Sequence, residues 1–250
     1  MKMIAPKLKP ASSNCDECPI KHRAVCAYCE KSDMAILESM KSYKTYSAGE
    51  NIIFAGDNMQ FVGSVVTGVA RLSQTMEDGR RQMVGLLLPS DFIGRPGRSH
   101  SAFDVEATTD VTLCRFERKP FEKMLGDIPH LRERMLEMAL DELDAAREWM
   151  LLLGRKTARE KIASLLTIIA RRQNAVQATE LGINVSFDLS LTREAMSEYL
   201  GLTLETVSRQ INALKKENVI KLEKKRHIVV KDFARLLMET GDDSDGGYLS

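Results

Sequence analysis

The chain has 250 residues and a formal net charge of +1, so its overall charge points to no particular partner. Its hydrophobic content of 44% is ordinary and allows one large or two average domains with buried cores. No apolar run approaches the length that crosses a bilayer, and the N-terminal stretch MKMIAPKLKP lacks the apolar segment of a secretory signal. These features favour a cytoplasmic protein with no membrane partner, in which thiols stay reduced.

Four of the five cysteines are crowded near the N-terminus, in the stretch NCDECPIKHRAVCAYCE: Cys15, Cys18, Cys26 and Cys29. Because the compartment is reducing, clustered cysteines indicate metal or redox chemistry rather than disulfides. The four together form a local CxxC…CxxC set that would suit structural zinc. The gap of seven residues between its halves is short for a zinc ribbon.

The segment from residue 41 to 121 reads as many short strands, punctuated by glycine and aspartate. Asp78-Gly79 between two such runs is a strong hairpin signal. Many short strands at close spacing predict a sandwich or jelly-roll barrel. In DVTLCRF, alternation puts Cys114 and Phe116 on the strand face opposite Val111 and Leu113. Residues 1–32 are polar and show no periodicity, so this arm is expected to be largely disordered unless something binds it.

A long helix is predicted from Pro129 to Gly154, because this segment contains strong helix formers and no internal proline or glycine. It carries two apolar stripes, which need two surfaces to bury against. One stripe, containing Met135, Met138 and Trp149, suits packing within the chain. The other suits the same helix of a second subunit, although packing only within one chain is the alternative. The candidate dimer-interface residues are Leu136, Leu140, Leu143, Ala146, Arg147 and Met150.

The C-terminal segment SLTREAMSEYLGLTLETVSRQINALKKENVIKLEKKRHIVVKD predicts a winged helix-turn-helix. Ser190 or Thr192 caps a helix that ends near Leu200, Gly201 makes the turn, and Thr203 caps a second helix. The next run predicts a hairpin wing with a basic tip at Lys224-Lys225-Arg226. Between residues 190 and 231, Lys and Arg outnumber Asp and Glu by four on a nearly neutral chain. A local basic excess of this kind is typical of phosphate binding.

The second of these helices carries Glu205, Ser208 and Arg209 on one exposed face near its start. This part of a recognition helix meets base edges in the major groove. Arginine can donate two hydrogen bonds to guanine, and glutamate can accept one from cytosine. Thr203 and Thr206 complete the candidate DNA contacts. The simpler alternative is a surface ion pair between Glu205 and Arg209.

A β-roll, a long central helix and a C-terminal winged helix-turn-helix together resemble the Crp/Fnr superfamily, to which the cyclic-AMP receptor protein and the fumarate–nitrate reduction regulator belong. The stretches GLTLETVSR and SDFIG carry the resemblance most clearly. The cyclic-nucleotide branch has a Gly-Glu pair and an Arg-Ser pair, whereas here Arg95 follows Gly94 and Asp104 stands where Arg-Ser is expected. We therefore expect no cyclic AMP binding. None of the four histidines has the setting of a haem ligand.

The cysteine spacing is similar to that of the oxygen-sensing branch, in its FnrL-type variant. That resemblance implies a four-iron four-sulfur cluster, [4Fe–4S], on Cys15, Cys18, Cys26 and Cys114, with Cys29 as a surplus thiol. It also implies a homodimer that binds a palindromic promoter site of the TTGAT type under low oxygen. Contact with RNA polymerase around Asp78, Gly79 and Arg80 is implied too, although an ordinary hairpin turn explains those three residues equally well.

The expected fold is therefore α+β, with an N-terminal β-roll sensor domain, a long dimerisation helix and a C-terminal winged helix-turn-helix. The predicted segments are a cluster-binding arm at 1–32, the β-roll at 33–128, the helix at 129–155, the DNA-binding domain at 156–236 and a disordered acidic tail at 237–250. A regulator of the same fold that holds zinc or senses thiol oxidation is the alternative function. No phosphate-binding glycine loop or catalytic constellation supports an enzyme.

Overall fold

The computed structural model describes residues 14–177, 179–224 and 226–242. The chain divides into two compact units between Leu140 and Asp141. This boundary falls inside the long helix rather than at either of its ends, where the predicted domain limits lie. The predicted fold class is confirmed: the first unit is rich in strands, and the second contains the helix-turn-helix. In the described part of the chain, no helix combines the length and the apolar character that crossing a bilayer requires.

The first unit is a β-roll of two four-stranded antiparallel sheets. Its strands are β1 Ser42–Tyr46, β2 Asn51–Ile53, β3 Phe61–Thr67, β4 Ala70–Thr75, β5 Arg81–Leu87, β6 Phe92–Ile93, β7 Asp104–Ala107 and β8 Val111–Glu117. One sheet has the order β1-β8-β3-β6 and the other β2-β7-β4-β5. The hairpin predicted at Asp78-Gly79 joins β4 to β5, and Gly79 has a positive φ of 85°. An apolar core fills the space between the two sheets.

Strand β8 separates two apolar cores. Its Val111 and Leu113 lie in the core between the sheets, whereas Phe116 and Cys114 belong to a second cluster on the outer face. This is the division that strand alternation predicts. The second cluster is covered by helices α1 Lys31–Met40, α2 Arg118–Asp127 and the start of α3 Pro129–Arg155.

Residues 14–30 of the arm adopt a defined structure, and disorder of the arm when nothing is bound stays a prediction. A 3-10 turn, Cys15–Glu17, begins the described part of the chain. The side chains of Ile20, Ala24 and Val25 are only 1%, 2% and 1% exposed. Most residues of this stretch are polar or charged, so its few apolar residues give no clear periodic signal. Their spacing nevertheless places all three of them in buried positions. Their burial, rather than any regular periodicity, holds the arm in place.

The second unit is a winged helix-turn-helix with an additional strand. Its elements after α3 are α4 Ala158–Gln177, β9 Ile183–Asp188, α5 Arg193–Leu200, α6 Leu204–Lys216, β10 Lys221–Glu223, β11 His227–Asp232 and α7 Phe233–Met238. The wing is a three-stranded antiparallel sheet of order β10-β11-β9. Strand β9 and the last turn of α4 have no counterpart among the predicted elements. The apolar signal there is weak, while pairing with β11 supplies the order of β9.

The predicted disordered tail is wrong for residues 237–242, whereas residues 243–250 lie outside the described part of the chain. Helix α7 runs through the predicted domain end at residue 236. Lys156 and Asp242 form an ion pair at 2.6 Å. Arg159 binds the carboxylates of both Glu217 and Glu239 at 2.5 Å, which ties the end of α6 to the residue after α7. Bidentate arginine–carboxylate contacts of this kind are the stronger class of ion pair.

Gly63 is required by the close approach of β3 to β8. A Cβ atom built at Gly63 would lie 2.4 Å from the carbonyl oxygen of Cys114. We expect Gly63→Ala to lower the free energy of unfolding by about 1–3 kcal/mol, because the strands must separate to admit the methyl group. Gly126→Ala is the matched control, since its Cβ in α2 meets nothing within 4 Å and alanine favours helix. Denaturant unfolding of both variants tests this, and equal stability of the two would contradict it.

Candidate metal centre and nucleic-acid interface

The four predicted ligand cysteines line one cavity. The cavity is narrow and lies between the arm and the outer face of β8. Cys15, Cys18, Cys26 and Cys114 are all in its wall, and Cys29 is not. The remaining wall is almost entirely apolar. It consists of Ile20, Ala24, Val25, Met34, Leu37, Tyr43, Ser64 and Phe116.

Local structure fixes the cysteines at the two ends of this set. The 3-10 turn at Cys15 is capped by Asn14, whose side-chain oxygen accepts a hydrogen bond from the backbone N–H of Asp16 at 2.9 Å. The carboxylate of Glu38 on α1 accepts from the backbone N–H of Cys15 at 3.1 Å. Cys114 is held by the central strand of its sheet. One sulfur donor therefore sits on a rigid strand and another on a turn anchored to a helix.

Strand pairing brings two further residues to the cavity that sequence reasoning missed. Tyr43 on β1 and Ser64 on β3 are the residues directly opposite Cys114 on its two neighbouring strands. Both line the cavity. Only the order of strands in the sheet could have identified them, because their own sequence surroundings carry no signal.

Burial raises the pKa of the cavity thiols. The pKa of Cys26 and of Cys114 rises to about 12 in each case, chiefly because burial disfavours the thiolate and secondarily because neighbouring thiolates repel it. The pKa of Cys18 is also raised, chiefly by burial. All five cysteines are free thiols. A bound metal would reverse this preference for the protonated thiol, because a thiol that coordinates a metal loses its proton.

Within residues 14–177, 179–224 and 226–242, no three His, Cys, Asp or Glu side chains converge closely enough to hold one metal ion. The thiols thus share a cavity wall without forming a preassembled single-ion site. The ligand set of Cys15, Cys18, Cys26 and Cys114 stays a prediction.

The two residues that replace the expected cyclic-nucleotide contacts, Asp104 and Arg95, are placed as follows. Asp104 accepts a hydrogen bond from the backbone N–H of Ala55 at 2.9 Å, so its carboxylate takes part in a loop contact. Arg95, which follows Gly94, is exposed to solvent. The absence of cyclic AMP binding stays a prediction.

The helix-turn-helix forms as predicted. The Thr192 hydroxyl accepts from the backbone N–H of Ala195 at 3.0 Å and caps α5. Gly201 ends that helix in the left-handed conformation, with a φ of 61°. Thr203 caps α6 by accepting from the backbone N–H of Thr206 at 3.1 Å, and the two threonine hydroxyls lie 2.9 Å apart. These two threonines therefore have a structural role at the start of the helix, whatever else they contact.

The exposed face of α6 carries the three residues predicted to contact base edges, Glu205, Ser208 and Arg209. The side chains of Glu205 and Arg209 are 87% and 64% exposed, and their ion pair is loose at 3.9 Å. Ser208 is half-buried beside them. Because this exposed ion pair is weak, the Arg209 guanidinium can form hydrogen bonds with another group at a small cost in free energy. Of the predicted basic wing tip, Lys224 and Arg226 are described, and Lys225 lies outside the described residues.

The long helix α3 exposes a stripe of large apolar side chains. Leu136, Leu140, Leu143 and Met150 are 61%, 53%, 45% and 70% exposed. Ala146 and Arg147 are exposed beside them. The leucines and Met150 follow spacings of four, three and seven residues, which is the repeat of a coiled-coil seam. On the neighbouring face, Met135 and Met138 pack against the second apolar cluster, on the outer face of β8, as predicted.

The β4–β5 hairpin is exposed at its tip. Asp78 and Arg80 pair with each other at 2.7 Å, and their side chains are 53% and 73% exposed. Gly79 between them has no neighbouring atom within 4 Å of a built Cβ. The tip is accessible, and its geometry is that of an ordinary hairpin turn.

Comparison with known proteins identifies the family. The sequence model of the Crp-like helix-turn-helix domain matches residues 160–238, and that of the cyclic nucleotide-binding domain matches residues 43–127. The chain is 67% identical to the transcriptional activator protein FnrL of Cereibacter sphaeroides, over 93% of this chain and 94% of that protein. It is 34% identical to the nitrogen fixation regulation protein FixK of Bradyrhizobium diazoefficiens, over 88% of this chain and 91% of that protein.

Among solved structures, that of FixK2 from Bradyrhizobium japonicum matches with a TM-score of 0.72 and 31% identity, covering 82% of this chain and 99% of that chain. The chain therefore belongs to the Crp/Fnr family of transcription regulators with a DNA-binding helix-turn-helix, and it is of the FnrL/FixK type.

Proposed function

We propose that the protein is an oxygen-responsive transcription activator. A [4Fe–4S] cluster held by Cys15, Cys18, Cys26 and Cys114 favours a homodimer under low oxygen, and the dimer binds a TTGAT-type palindrome and recruits RNA polymerase. The observation that carries the proposal is the sharing of one apolar cavity by these four thiols. The alternative zinc site would use Cys29 together with Cys15, Cys18 and Cys26. Cys29 does not line the cavity that the other three share.

The residues present fit such a cluster. Iron–sulfur clusters are held by four thiolates, and the cavity wall supplies four sulfur donors and no carboxylate or imidazole. When bound, the cluster would supply an oxygen-labile redox centre. The apolar wall of the cavity limits access of water, and Cys114 joins the arm to the rigid sheet. Loss of ligation would therefore remove one attachment of the arm to the β-roll.

The arm is also attached to the start of α3, which offers a route from the cavity to the dimer helix. The Tyr28 hydroxyl donates to the Glu137 carboxylate at 2.9 Å. Arg134 pairs with the same carboxylate, and its Nη2 donates to the carbonyl oxygen of Arg23 at 2.7 Å. The Arg134 guanidinium also lies 5.4 Å from the centre of the Tyr28 ring. Because these contacts flank Cys26, a change in ligation would alter the packing of α3.

The exposed stripe on α3 supports the homodimer. Isolated apolar side chains on a surface are ordinary, but a continuous stripe with coiled-coil spacing is typical of a helix that pairs. A closed twofold dimer would present two copies of α6 to the two halves of a palindrome. A cluster-linked bias of a few kcal/mol would be enough to switch such an equilibrium.

The first prediction concerns ligand identity. We expect Cys18→Ser, purified without air, to lose tight binding to the palindrome, because one thiolate of the cluster is removed. Cys29→Ser is the matched control and should bind as the unaltered chain does. Fluorescence anisotropy with labelled duplex DNA, under argon, measures both. Unchanged DNA binding by Cys18→Ser would contradict the coupling between the cluster and DNA binding. An equal loss of binding in Cys29→Ser would favour the zinc site formed by the four N-terminal cysteines.

The second prediction concerns the dimer. Leu140→Glu should weaken dimerisation by about tenfold or more, because an unpaired carboxylate would enter an apolar interface. Ile36→Glu on α1 is the control, since Ile36 is 48% exposed and Leu140 53%. Sedimentation velocity over a concentration series, on cluster-loaded protein, gives the two dissociation constants. A monomer–dimer balance that responds equally to both changes would place the interface elsewhere.

The third prediction concerns sequence reading. Arg209→Ala should cost about 1–3 kcal/mol on the palindrome and much less on unrelated DNA, because a bidentate contact to guanine is lost. Lys216→Ala in the last turn of the same helix should weaken both DNAs alike, as expected for a phosphate contact. Titrations at one fixed salt concentration give the specificity ratio of each variant. An unchanged ratio for Arg209→Ala would show that Arg209 does not read bases.

A further inference from the structure

We infer that Lys41 is a positioning residue for the cluster ligand Cys15, acting as a buried cationic donor to its sulfur. The inference rests on the proposed function and adds a residue to it. Lys41 follows the last residue of α1, and its Nζ lies 3.0 Å from the Cys15 sulfur. Its side chain is only 6% exposed.

Burial of this lysine requires a reason. Lysine is almost never buried unless it is paired, because taking an ammonium group out of water is costly. Lys41 has a carboxylate partner, Glu38, at 3.0 Å. The same Glu38 oxygen accepts from the backbone N–H of Cys15. Glu38 and Lys41 therefore hold Cys15 at both its main chain and its sulfur, a more elaborate arrangement than an exposed i,i+3 ion pair needs.

The charge of the site explains the arrangement. Four thiolates outweigh the positive charge of a [4Fe–4S] core, so the loaded site carries net negative charge in a cavity with an apolar wall. No charged side chain lines that wall among the residues that the structure describes. Lys41 reaches Cys15 from outside the wall and supplies a positive charge at a ligand sulfur. Hydrogen bonds to cluster sulfurs set both retention and reduction potential.

Lys21, a lysine on the arm, provides a matched control. Lys21 pairs with Asp16 at 2.6 Å, and its side chain is 35% exposed. It carries the same charge as Lys41, but its ammonium group is bonded to a carboxylate at the surface. An effect specific to the sulfur contact would appear on changing Lys41 and would be largely absent on changing Lys21.

The experiment compares Lys41→Met, Lys41→Arg and Lys21→Met with the unaltered full-length chain after anaerobic reconstitution. The readouts are iron and sulfide per chain, and the rate at which a ferrous chelator captures iron under argon. We expect Lys41→Met to release iron roughly tenfold faster or more, as for loss of a second-shell partner. Lys41→Arg keeps the charge and should stay near the unaltered rate. Lys21→Met should stay within about twofold, because exposed pairs contribute little.

Three other outcomes would overturn the role of Lys41, and one of them would also overturn the proposed function. Iron release from Lys41→Met at the unaltered rate overturns the role of Lys41 and leaves the proposed function standing. Equal acceleration by Lys21→Met also overturns it, since general charge near the site would then explain the effect. An unaltered chain that takes up no iron overturns the proposed function and this inference together. Circular dichroism of the metal-free proteins checks folding, and Lys41→Gln gives the same comparison if Lys41→Met does not fold.

Discussion

The two-sided packing of strand β8 is the constraint on which the rest of the sensor unit depends. One face of the strand places Val111 and Leu113 in the core between the sheets, and the other turns Cys114 and Phe116 to the core beneath the arm. Because successive side chains alternate, a slip of one residue would exchange the two sets. The position of one sulfur in the cavity is thus set by the folding of the whole β-roll. Gly63 enforces the register from the neighbouring strand, since no side chain fits between it and β8.

The arm depends on this surface and in turn reaches the long helix. Its three buried apolar residues fasten it to the outer face of the sheet, and Tyr28 joins it to Glu137 on α3. The proposed sensing step uses these contacts in sequence: sulfur ligation strengthens the attachment of the arm, and the arm supports the first turns of α3. In the second unit, the C-terminal end of α6 is fixed by Arg159 and its start by Thr203. Helix α6, the proposed DNA-reading helix, is therefore fixed at both ends, which suits the proposed control through pairing of subunits rather than through changes within the helix.

Much of the fold could be predicted from the sequence because its signals are local. The hairpin at Asp78-Gly79, the caps at Thr192 and Thr203 and the alternation in β8 all depend on a few adjacent residues, and all are confirmed. The structure of residues 237–242 and strand β9 depend on partners distant in the chain, so neighbouring residues carry no signal for them. The same distinction applies to the site. The resemblance in cysteine spacing predicted the four thiols that line the cavity, whereas Tyr43, Ser64 and Lys41 became visible only through pairing and packing.

The most direct test of the central claim is a count of iron, acid-labile sulfide and zinc in protein purified without air, with the visible spectrum followed as air is admitted. The account predicts four irons and four sulfides per chain, as a [4Fe–4S] cluster requires, and absorption that bleaches in air. Zinc without sulfide, and a spectrum indifferent to air, would contradict the oxygen sensor while leaving the DNA-binding regulator intact.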